Sequence, residues 1–381
     1  MTTVFPGGAI GILGGGQLGR MLAMEARRME YRVGILDPVP NCPASQVANF
    51  HIQASLGSVE VALKLAAEVD VVTLETELVP FEVLTEIERI KPVRPSPEVI
   101  RIIQDRLLQK EFIGRHGFPQ TRYAPVYDDE SLKKASSTVG FPGILKSCRG
   151  GYDGKGQVRV ERDPELADAW NQIGRMRAVL ESVVPFRAEL SVVLARGASG
   201  EVRIYPLAEN VHRRHILHTS RAPAPVADTV RKRAEEIAVG IAEALGHWGV
   251  MAVEMFLLED DSVLVNEIAP RTHNSGHYTF GACVTSQFEQ HIRAVCGLPL
   301  GDPSLMRPAV IVNLLGDLWQ NGTPPWAKLL GHPNARLHLY EKQGAVLGRK
   351  MGHCLLLDEN TDRALRLAED ILQSLGEEKS V

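Results

Sequence analysis

The segment VMAVEMFLLEDDSVLVNEI, residues 250–268, decides how this chain folds and where its chemistry lies. Apolar and polar residues alternate on both sides of Asp260-Asp261, which is typical of two β-strands joined by a turn. A two-residue turn at these aspartates would place Glu254 directly opposite Glu267. The pattern therefore predicts a hairpin with two carboxylates on one face.

Two carboxylates in this position repel each other and destabilise the sheet unless a cation lies between them. Carboxylates combined with substrate phosphates are the ligands that Mg²⁺ prefers. A solvated pair of charges is the alternative, but the apolar neighbours Val253, Met255 and Val265 make it less favourable. The hairpin therefore predicts a magnesium site at Glu254 and Glu267.

The segment NEIAPRTHNSGH, residues 266–277, leads out of the second strand and is dense in hydrogen-bond donors. Arg271 is suited to stabilise charge that develops on a transferred phosphoryl or acyl group. His273 and His277 are candidate donors or proton-transfer groups, with a structural role as the alternative. The segment is therefore predicted to border the reacting atoms.

A lysine and a glycine-rich loop precede this hairpin in the chain. Lys146 ends an apolar strand at residues 143–146, where its charge suits a phosphate. The stretch RGGYDGKGQ, residues 149–157, predicts a mobile loop whose backbone N–H groups can close around phosphates, with Lys155 adding charge. A flexible hairpin tip is the alternative. No Gly-Lys-Ser/Thr precedes a helix, so the stretch is not a P-loop of the Walker type.

The first hundred residues alternate strand and helix, which predicts a parallel sheet covered by helices. Ser58 is a predicted helix N-cap, and Ser96 with Pro97 is predicted to begin one long helix towards Arg115. The fold class is therefore mixed α/β and α+β. We place a parallel α/β domain at residues 1–96, a two-lobed domain at 97–300 and a C-terminal subdomain at 301–381. The lobes of the central domain are a lid lobe at 119–185 and a metal lobe at 186–300.

The glycine turn GGGQLG, residues 14–19, fits the dinucleotide fingerprint, and Asp37 lies about where a ribose-binding acid would be. This match alone is weak, because other anionic ligands use the same helix N-terminus. A tight turn without a ligand is a second interpretation. Binding of a substrate phosphate is the preferred one.

Composition excludes some classes of protein. The chain has 381 residues, 44% of them hydrophobic, and a formal net charge of -4, which argues against a general nucleic-acid binder. Neither a membrane span nor a signal peptide is recognised. The five cysteines are scattered without metal spacing and predict reduced thiols and a cytoplasmic location.

Across nearly its whole length the chain resembles the ATP-grasp superfamily and, within it, the N5-carboxyaminoimidazole ribonucleotide synthase (PurK) family. Beyond the glycine turn and the segments at 149–157 and 266–277, the resemblance rests on TLETE at 73–77, DRLLQK at 105–110 and GRKMGH at 348–353. Thr272 and Leu78 depart from the family pattern. Both positions adjoin presumed contacts and leave the superfamily assignment unaffected.

The resemblance implies ATP and Mg²⁺ as cofactors, with Glu254 and Glu267 as metal ligands. It implies an ATP site formed by Arg106, Lys146, Gly151, Tyr152, Asp153, Gly154, Lys155, Gly156, Gln157, Glu181, Ser182, Val183, Val184, Glu189, His212, Asn266 and Glu267. Residues 181–184 would run past the adenine, and Glu189 would hold the ribose hydroxyls.

The resemblance also implies a reaction in which ATP and bicarbonate carboxylate aminoimidazole ribonucleotide through carboxyphosphate. The catalytic candidates are Arg271, Lys146, Asp153 and His273, and either of the last two could accept the amine proton. The substrate candidates are Gln17, Leu18, Glu75, Glu77, Tyr152, Asn274, Ser275, Lys342, Arg349 and Lys350, the last three for its phosphate. The expected partners are small molecules, without nucleic acid or membrane, and the expected assembly is a homodimer.

Three alternatives remain open at this point. A formate-dependent glycinamide ribonucleotide transformylase would share the ATP site, although the runs at 273–277 and 348–353 favour carboxylation. An NAD-dependent dehydrogenase would leave Lys146 and the paired glutamates unexplained. A non-catalytic nucleotide-binding subunit would have no need of an intact Arg271 and metal pair.

Overall fold

A computed structural model describes residues 2–151 and 155–376. Within these two ranges no helix is long and apolar enough to cross a membrane. The predicted loop residues Tyr152, Asp153 and Gly154 lie outside the described residues.

The N-terminal part forms the predicted parallel sheet, with strand order β3-β2-β1-β4. Apolar strands pack under helices whose inner faces carry residues such as Leu22 and Leu65, both fully buried. The glycine turn connects β1 to α1, so it lies at the carboxyl edge of the sheet, where ligands of such sheets bind. The elements are β1 (Ala9–Leu13), α1 (Gln17–Arg28), β2 (Arg32–Asp37), β3 (Phe50–Gln53), α2 (Val59–Ala67), β4 (Val71–Leu74) and α3 (Phe81–Glu88).

The single long helix predicted after Ser96 is wrong, because the structure has two helices, α4 (Pro97–Ile103) and α5 (Arg106–Arg115). Asp105 breaks the run, since its extended backbone and its side chain cap α5 by accepting from the N–H groups of Leu107 and Leu108. Ser96 and Ser58 occupy the predicted N-cap positions, but neither side chain makes a capping hydrogen bond.

The lid lobe is an antiparallel sheet of order β5-β8-β6-β7. Helices α6 and α7 cover one face and bury Leu132 and Trp170. The lobe places Lys146, on β6, beside Glu181, on β8. Its elements are β5 (Tyr123–Val126), α6 (Asp129–Val139), β6 (Gly143–Ser147), β7 (Gln157–Val160), α7 (Leu166–Gln172) and β8 (Ala178–Ser182).

A large antiparallel sheet of order β14-β13-β9-β11-β12-β15-β17-β16, with β10 on β9, forms the rest of the fold. Because β12 pairs with β15, the C-terminal strands extend the same sheet that carries the paired glutamates. The strands are β9 (Ala188–Arg196), β10 (Val202–Ile204), β11 (Ala208–Arg213), β12 (Ile216–Ala222), β13 (Gly249–Leu257), β14 (Val263–Ala269), β15 (Ala309–Leu315), β16 (Ala335–Leu339) and β17 (Lys350–Leu357). The helices are α8 (Asp228–Ala244), α9 (Thr279–Ala282), α10 (Gln287–Val295), α11 (Trp326–Leu330) and α12 (Thr361–Leu375).

The β13–β14 hairpin confirms the predicted pairing of Glu254 with Glu267, but the predicted turn is wrong. The Leu258 N–H donates to the Ser262 carbonyl at 2.9 Å, so the connecting loop has three residues, and the last of them, Asp261, has a φ of 64°. A bulge then shifts the register by one residue between Glu254 and Met255. The two differences cancel, which restores the predicted Glu254–Glu267 pair and leaves Asn266 in the bulge.

Candidate active site

The paired carboxylates lie in an environment that suits a cation. The Glu254 side chain is 14% exposed, and burial followed by the charge of Glu267 raises the pKa of Glu254 to about 8. A divalent cation between the two carboxylates would stabilise the ionised form of Glu254, because its charge compensates for the burial of that group and for the repulsion from Glu267. No cluster of three or more His, Cys, Asp or Glu side chains in the described ranges could hold a metal. The pair therefore fits a magnesium ion that takes its remaining ligands from phosphate and water.

Arg106 connects this pair to the glycine-rich loop. It begins α5, and its guanidinium lies 3.3 Å from the Glu267 carboxylate and donates to the Gly151 carbonyl at 3.2 Å. At the other end of the loop, the Gly156 carbonyl accepts from the Ser147 N–H at 2.8 Å, and Gln157 pairs with Lys146. The described ends of the loop therefore lie beside both the carboxylate pair and Lys146.

Two lysines share one buried carboxylate, that of Glu181. Lys110 and Lys146 lie 3.1 Å and 3.2 Å from the same Glu181 oxygen, and Lys110 also donates to Thr121 at 2.9 Å. Burial opposes ionisation of Glu181, but Lys146, Lys110 and Arg106 outweigh it and lower its pKa to about 2. Two cations against one anion leave a surplus of positive charge, which suits a phosphate. One Glu181 oxygen is occupied by both lysines and by Thr121, which donates to it at 3.2 Å.

Glu189 on β9 and His212 on β11 form an ion pair beside the carboxylates. Burial is the largest single effect on His212 and opposes its protonation, but the contact with Glu189 and the charges of Glu189 and Glu254 together outweigh burial and raise the pKa of the imidazole. The two residues predicted to lie near the nucleotide are thus in contact with each other.

The loop after β14 brings His273 to the carboxylate pair and carries the predicted residues Asn274 and Ser275 directly after it. The His273 Nε2 atom lies 3.4 Å from the Glu254 carboxylate, and its Nδ1 atom accepts from the Ser275 N–H at 3.3 Å. Ser275 is fully buried, and its Oγ atom contacts Ser191 and His273, which gives it a supporting position. Asn274 is 7% exposed, and both polar atoms of its side chain lack a partner among the described residues. Such a group is suited to receive a ligand.

Three N–H groups of the glycine turn donate to carboxylates of the protein itself, which disfavours the predicted phosphate site there. The Gly15 N–H donates to Asp37 at 2.7 Å, and the N–H groups of Gly16 and Gly19 donate to Glu75 at 2.7 Å and 2.8 Å. The helix N-terminus does bind an anion, but that anion is the protein's own carboxylate. The same contacts argue against a dinucleotide site, because the N–H groups that would donate to its phosphates already donate to Asp37 and Glu75. Gln17 and Leu18 begin α1 directly behind the turn.

Glu77 brings the N-terminal domain to the loop between β14 and α9, residues 270–278, which we call the reactive loop. Its carboxylate lies 2.9 Å from the Arg271 guanidinium, which also donates to the Thr272 carbonyl at 3.0 Å. Arg271 is therefore held at the junction between the domain that carries the glycine turn and the domain that carries the carboxylate pair.

The basic C-terminal residues occupy different surroundings. Lys350 begins β17, and its charge affects Glu254, His212 and His273, so it belongs to the centre of the site. Arg349 is exposed and donates to the carbonyls of residues 343 and 344 at 2.5 Å and 3.0 Å. The Lys342 ammonium lies 5.5 Å from the Tyr340 ring centroid.

The sequence reasoning did not single out Lys110, which contacts Glu181, or Gln287, which contacts His273. Lys110 lies one helical turn after Arg106, and this spacing on α5 was an available signal for a second cation on the same face. Gln287 contacts the reactive loop only through the tertiary fold, and no local pattern indicates it.

The chain matches three domain families along its length. Residues 8–104 match the ribonucleotide synthetase preATP-grasp domain, and residues 111–288 match the ATP-grasp domain. Residues 309–367 match the phosphoribosylaminoimidazole carboxylase C-terminal domain. The three domains occur in the order that the resemblance implies.

Proteins of known identity are similar to this chain, in sequence and in structure, along almost its entire length. The N5-carboxyaminoimidazole ribonucleotide synthase of Bacillus subtilis is 42% identical over 361 residues, which cover 94% of each protein. A crystal structure of an N5-carboxyaminoimidazole ribonucleotide synthetase with ADP is 40% identical, with a TM-score of 0.92 over 97% of this chain and 98% of that one. The Aspergillus clavatus synthase with ADP and 5-aminoimidazole ribonucleotide is 34% identical, with a TM-score of 0.89 over 97% and 98%. The chain therefore belongs to the N5-carboxyaminoimidazole ribonucleotide synthase family of ATP-grasp enzymes.

Proposed function

We propose that this protein is an ATP-dependent ligase that joins bicarbonate to the amine of 5-aminoimidazole ribonucleotide. The products are N5-carboxyaminoimidazole ribonucleotide, ADP and phosphate, and the reaction belongs to purine biosynthesis. The observation that carries the proposal is the Glu254–Glu267 pair, which contacts His273 on one side and Arg106 on the other. This arrangement joins a phosphate-binding region to an acyl-transfer region through one metal site.

The first half of the reaction is phosphoryl transfer. A bicarbonate oxygen attacks the γ-phosphorus, the bond to the leaving ADP oxygen breaks, and carboxyphosphate forms. Lys146 and Lys110 carry the surplus positive charge that neutralises the phosphate oxygens, and Arg106 and Arg271 are proposed to add to it. Magnesium held by Glu254 and Glu267 would supply further charge neutralisation when bound.

The second half is acyl transfer to the amine. The amine nitrogen attacks the carboxyl carbon of carboxyphosphate, or CO₂ released from it, phosphate leaves, and the nitrogen loses a proton. Since the Nδ1 atom of His273 accepts a backbone N–H, its Nε2 atom carries the hydrogen and points to Glu254. His273 therefore serves as a hydrogen-bond donor, and Asp153 is the remaining candidate for the proton acceptor.

The other predicted contacts form part of the same proposal. The ribonucleotide would lie between Gln17, Leu18 and Glu77 on one side and Asn274 on the other. Its phosphate would meet the basic segment formed by Lys342, Arg349 and Lys350. We also propose a cytoplasmic homodimer. Free thiols at all five cysteines suit a reducing compartment.

Phosphate release from MgATP tests the proposed function when bicarbonate and the ribonucleotide are omitted in turn. We expect strong stimulation by aminoimidazole ribonucleotide that disappears without bicarbonate. Stimulation by glycinamide ribonucleotide and formate would instead indicate the transformylase. Absence of ATP consumption under every condition would contradict the ligase assignment.

A further inference from the structure

The backbone of the reactive loop is held by a side chain that the mechanism above does not use. Gln287, the first residue of α10, is fully buried. Its Oε1 atom accepts from the His273 N–H at 2.9 Å, and its Nε2 atom donates to the His273 carbonyl at 2.7 Å. One amide thus binds both backbone polar groups of a single residue, as a neighbouring strand would. We call this pair of hydrogen bonds the Gln287 clamp.

The surrounding residues leave room for the clamp and fix its orientation. A Cβ atom at Gly276 would lie 2.6 Å from the Gln287 Oε1 atom and 2.8 Å from its Cδ atom, so only glycine lets the amide lie against the loop. Thr279 accepts from the Gln287 N–H at 2.9 Å and donates to the Gly276 carbonyl at 2.7 Å. Because a backbone N–H can only donate and a carbonyl can only accept, the amide has a single orientation.

The position of His273 determines the geometry on the acyl-transfer side. The imidazole of His273 reaches Glu254, and Arg271, two residues earlier, reaches Glu77. Apart from one short turn at Asn274–Gly276, the loop between β14 and α9 has no regular secondary structure of its own to fix these directions. Without the clamp, the His273 N–H would need a new partner, and the His273 carbonyl would keep only the Gly276 N–H, at 3.0 Å, so the backbone would shift.

We propose that Gln287 is a positioning residue for the reaction, because its amide fixes where His273 and Arg271 point relative to Glu254. This inference rests on the proposed function. Gln287 lies outside the nucleotide cleft formed by Lys110, Lys146 and Glu181. Loss of the clamp therefore impairs turnover and the transfer of the carboxyl group, and it leaves ATP binding largely unchanged.

The same helix supplies a matched control. Gln290 is also fully buried, and its amide binds both backbone groups of Gly301, at 2.9 Å and 2.6 Å. Gln287→Met and Gln290→Met therefore remove the same kind of contact one helical turn apart. Only the first of these contacts reaches the reactive loop.

The test measures thermal stability, kcat, the KM for ATP and the ratio of carboxylated product to phosphate for both variants. We expect similar losses of thermal stability. In Gln287→Met alone, kcat should fall roughly 10- to 100-fold, as expected for a misplaced reactive group. Its KM for ATP should stay within about twofold, and its ratio of product to phosphate should fall. If Gln287→Met does not fold, Gln287→Glu, which keeps the shape and the acceptor, takes its place.

Two outcomes would overturn the inference. Wild-type kcat and product ratio in a destabilised Gln287→Met would show that the clamp is structural only. Equal losses of kcat in both variants would show a general effect of destabilising α10. Wild-type protein that shows no ribonucleotide-dependent turnover would instead contradict the proposed function, which separates the two failures.

Discussion

Removal of the carboxylate that Lys110 and Lys146 share, by Glu181→Gln, should strongly destabilise the protein in the absence of ATP. The side chains of Lys110 and Glu181 are 3% and 4% exposed, and that of Lys146 is 12% exposed. The substitution changes two cations and one anion into two cations without an anion. Breaking a buried ion pair by removing one partner costs about 3–5 kcal/mol. We expect about 3 kcal/mol, because Thr121 still accepts from Lys110.

Urea unfolding without nucleotide, followed by tryptophan fluorescence, to which Trp170 in the same lobe contributes, measures this loss. Glu60→Gln is the matched control, because Glu60 pairs with Lys64 at 2.7 Å on an exposed helix surface. The control should leave the unfolding midpoint unchanged. A loss below about 1 kcal/mol in Glu181→Gln would refute the assignment of Glu181 as the counter-ion of both lysines.

Glu267→Gln should lower ATP turnover more than about 100-fold while the fold is retained. Glu259→Gln, in the exposed turn, is the control and should leave ATP turnover unchanged. Near-wild-type turnover in Glu267→Gln would contradict the metal site. Arg349→Ala should raise the KM for the ribonucleotide about tenfold and the KM for ATP much less, and equal effects would contradict its phosphate role. Burial lowers the pKa of His247 to about 4. Since the unfolded imidazole titrates at about 6.5, its contribution to stability is complete above pH 6.5 and is lost as pH falls to about 4. Urea unfolding between these pH values should show the free energy of unfolding falling by up to about 3 kcal/mol because of His247. His247→Gln should make the free energy of unfolding depend less on pH, and an unchanged pH dependence would show that another group titrates.

Local sequence patterns were sufficient for the parts of the fold that short-range rules control. The parallel N-terminal sheet was predicted from the alternation of strand and helix patterns in the first hundred residues. The Glu254–Glu267 pair was also predicted, but by way of a turn that is one residue too short. The bulge at Asn266 corrected the register, and no local signal in the sequence indicated that bulge.

Tertiary contacts explain what the sequence could not show. Asp105 divides the predicted long helix because it caps α5 and pairs with Arg177 at 2.7 Å, a residue far away in the chain. The glycine turn has the pattern of a phosphate site, but Glu75 fills it from a neighbouring strand end. The clamp by Gln287 likewise depends on how α10 packs against the reactive loop. A pattern thus identifies a group that can bind an anion, while the fold decides which anion it binds.

Bicarbonate labelled with ¹⁸O tests the central claim most directly, because the label follows the oxygen that attacks the γ-phosphorus. With MgATP and aminoimidazole ribonucleotide in unlabelled water, and with rapid quenching, we predict one labelled oxygen in each phosphate released. Phosphate that carries only unlabelled oxygen, with turnover intact, would show attack by water and would contradict the activation of bicarbonate by ATP.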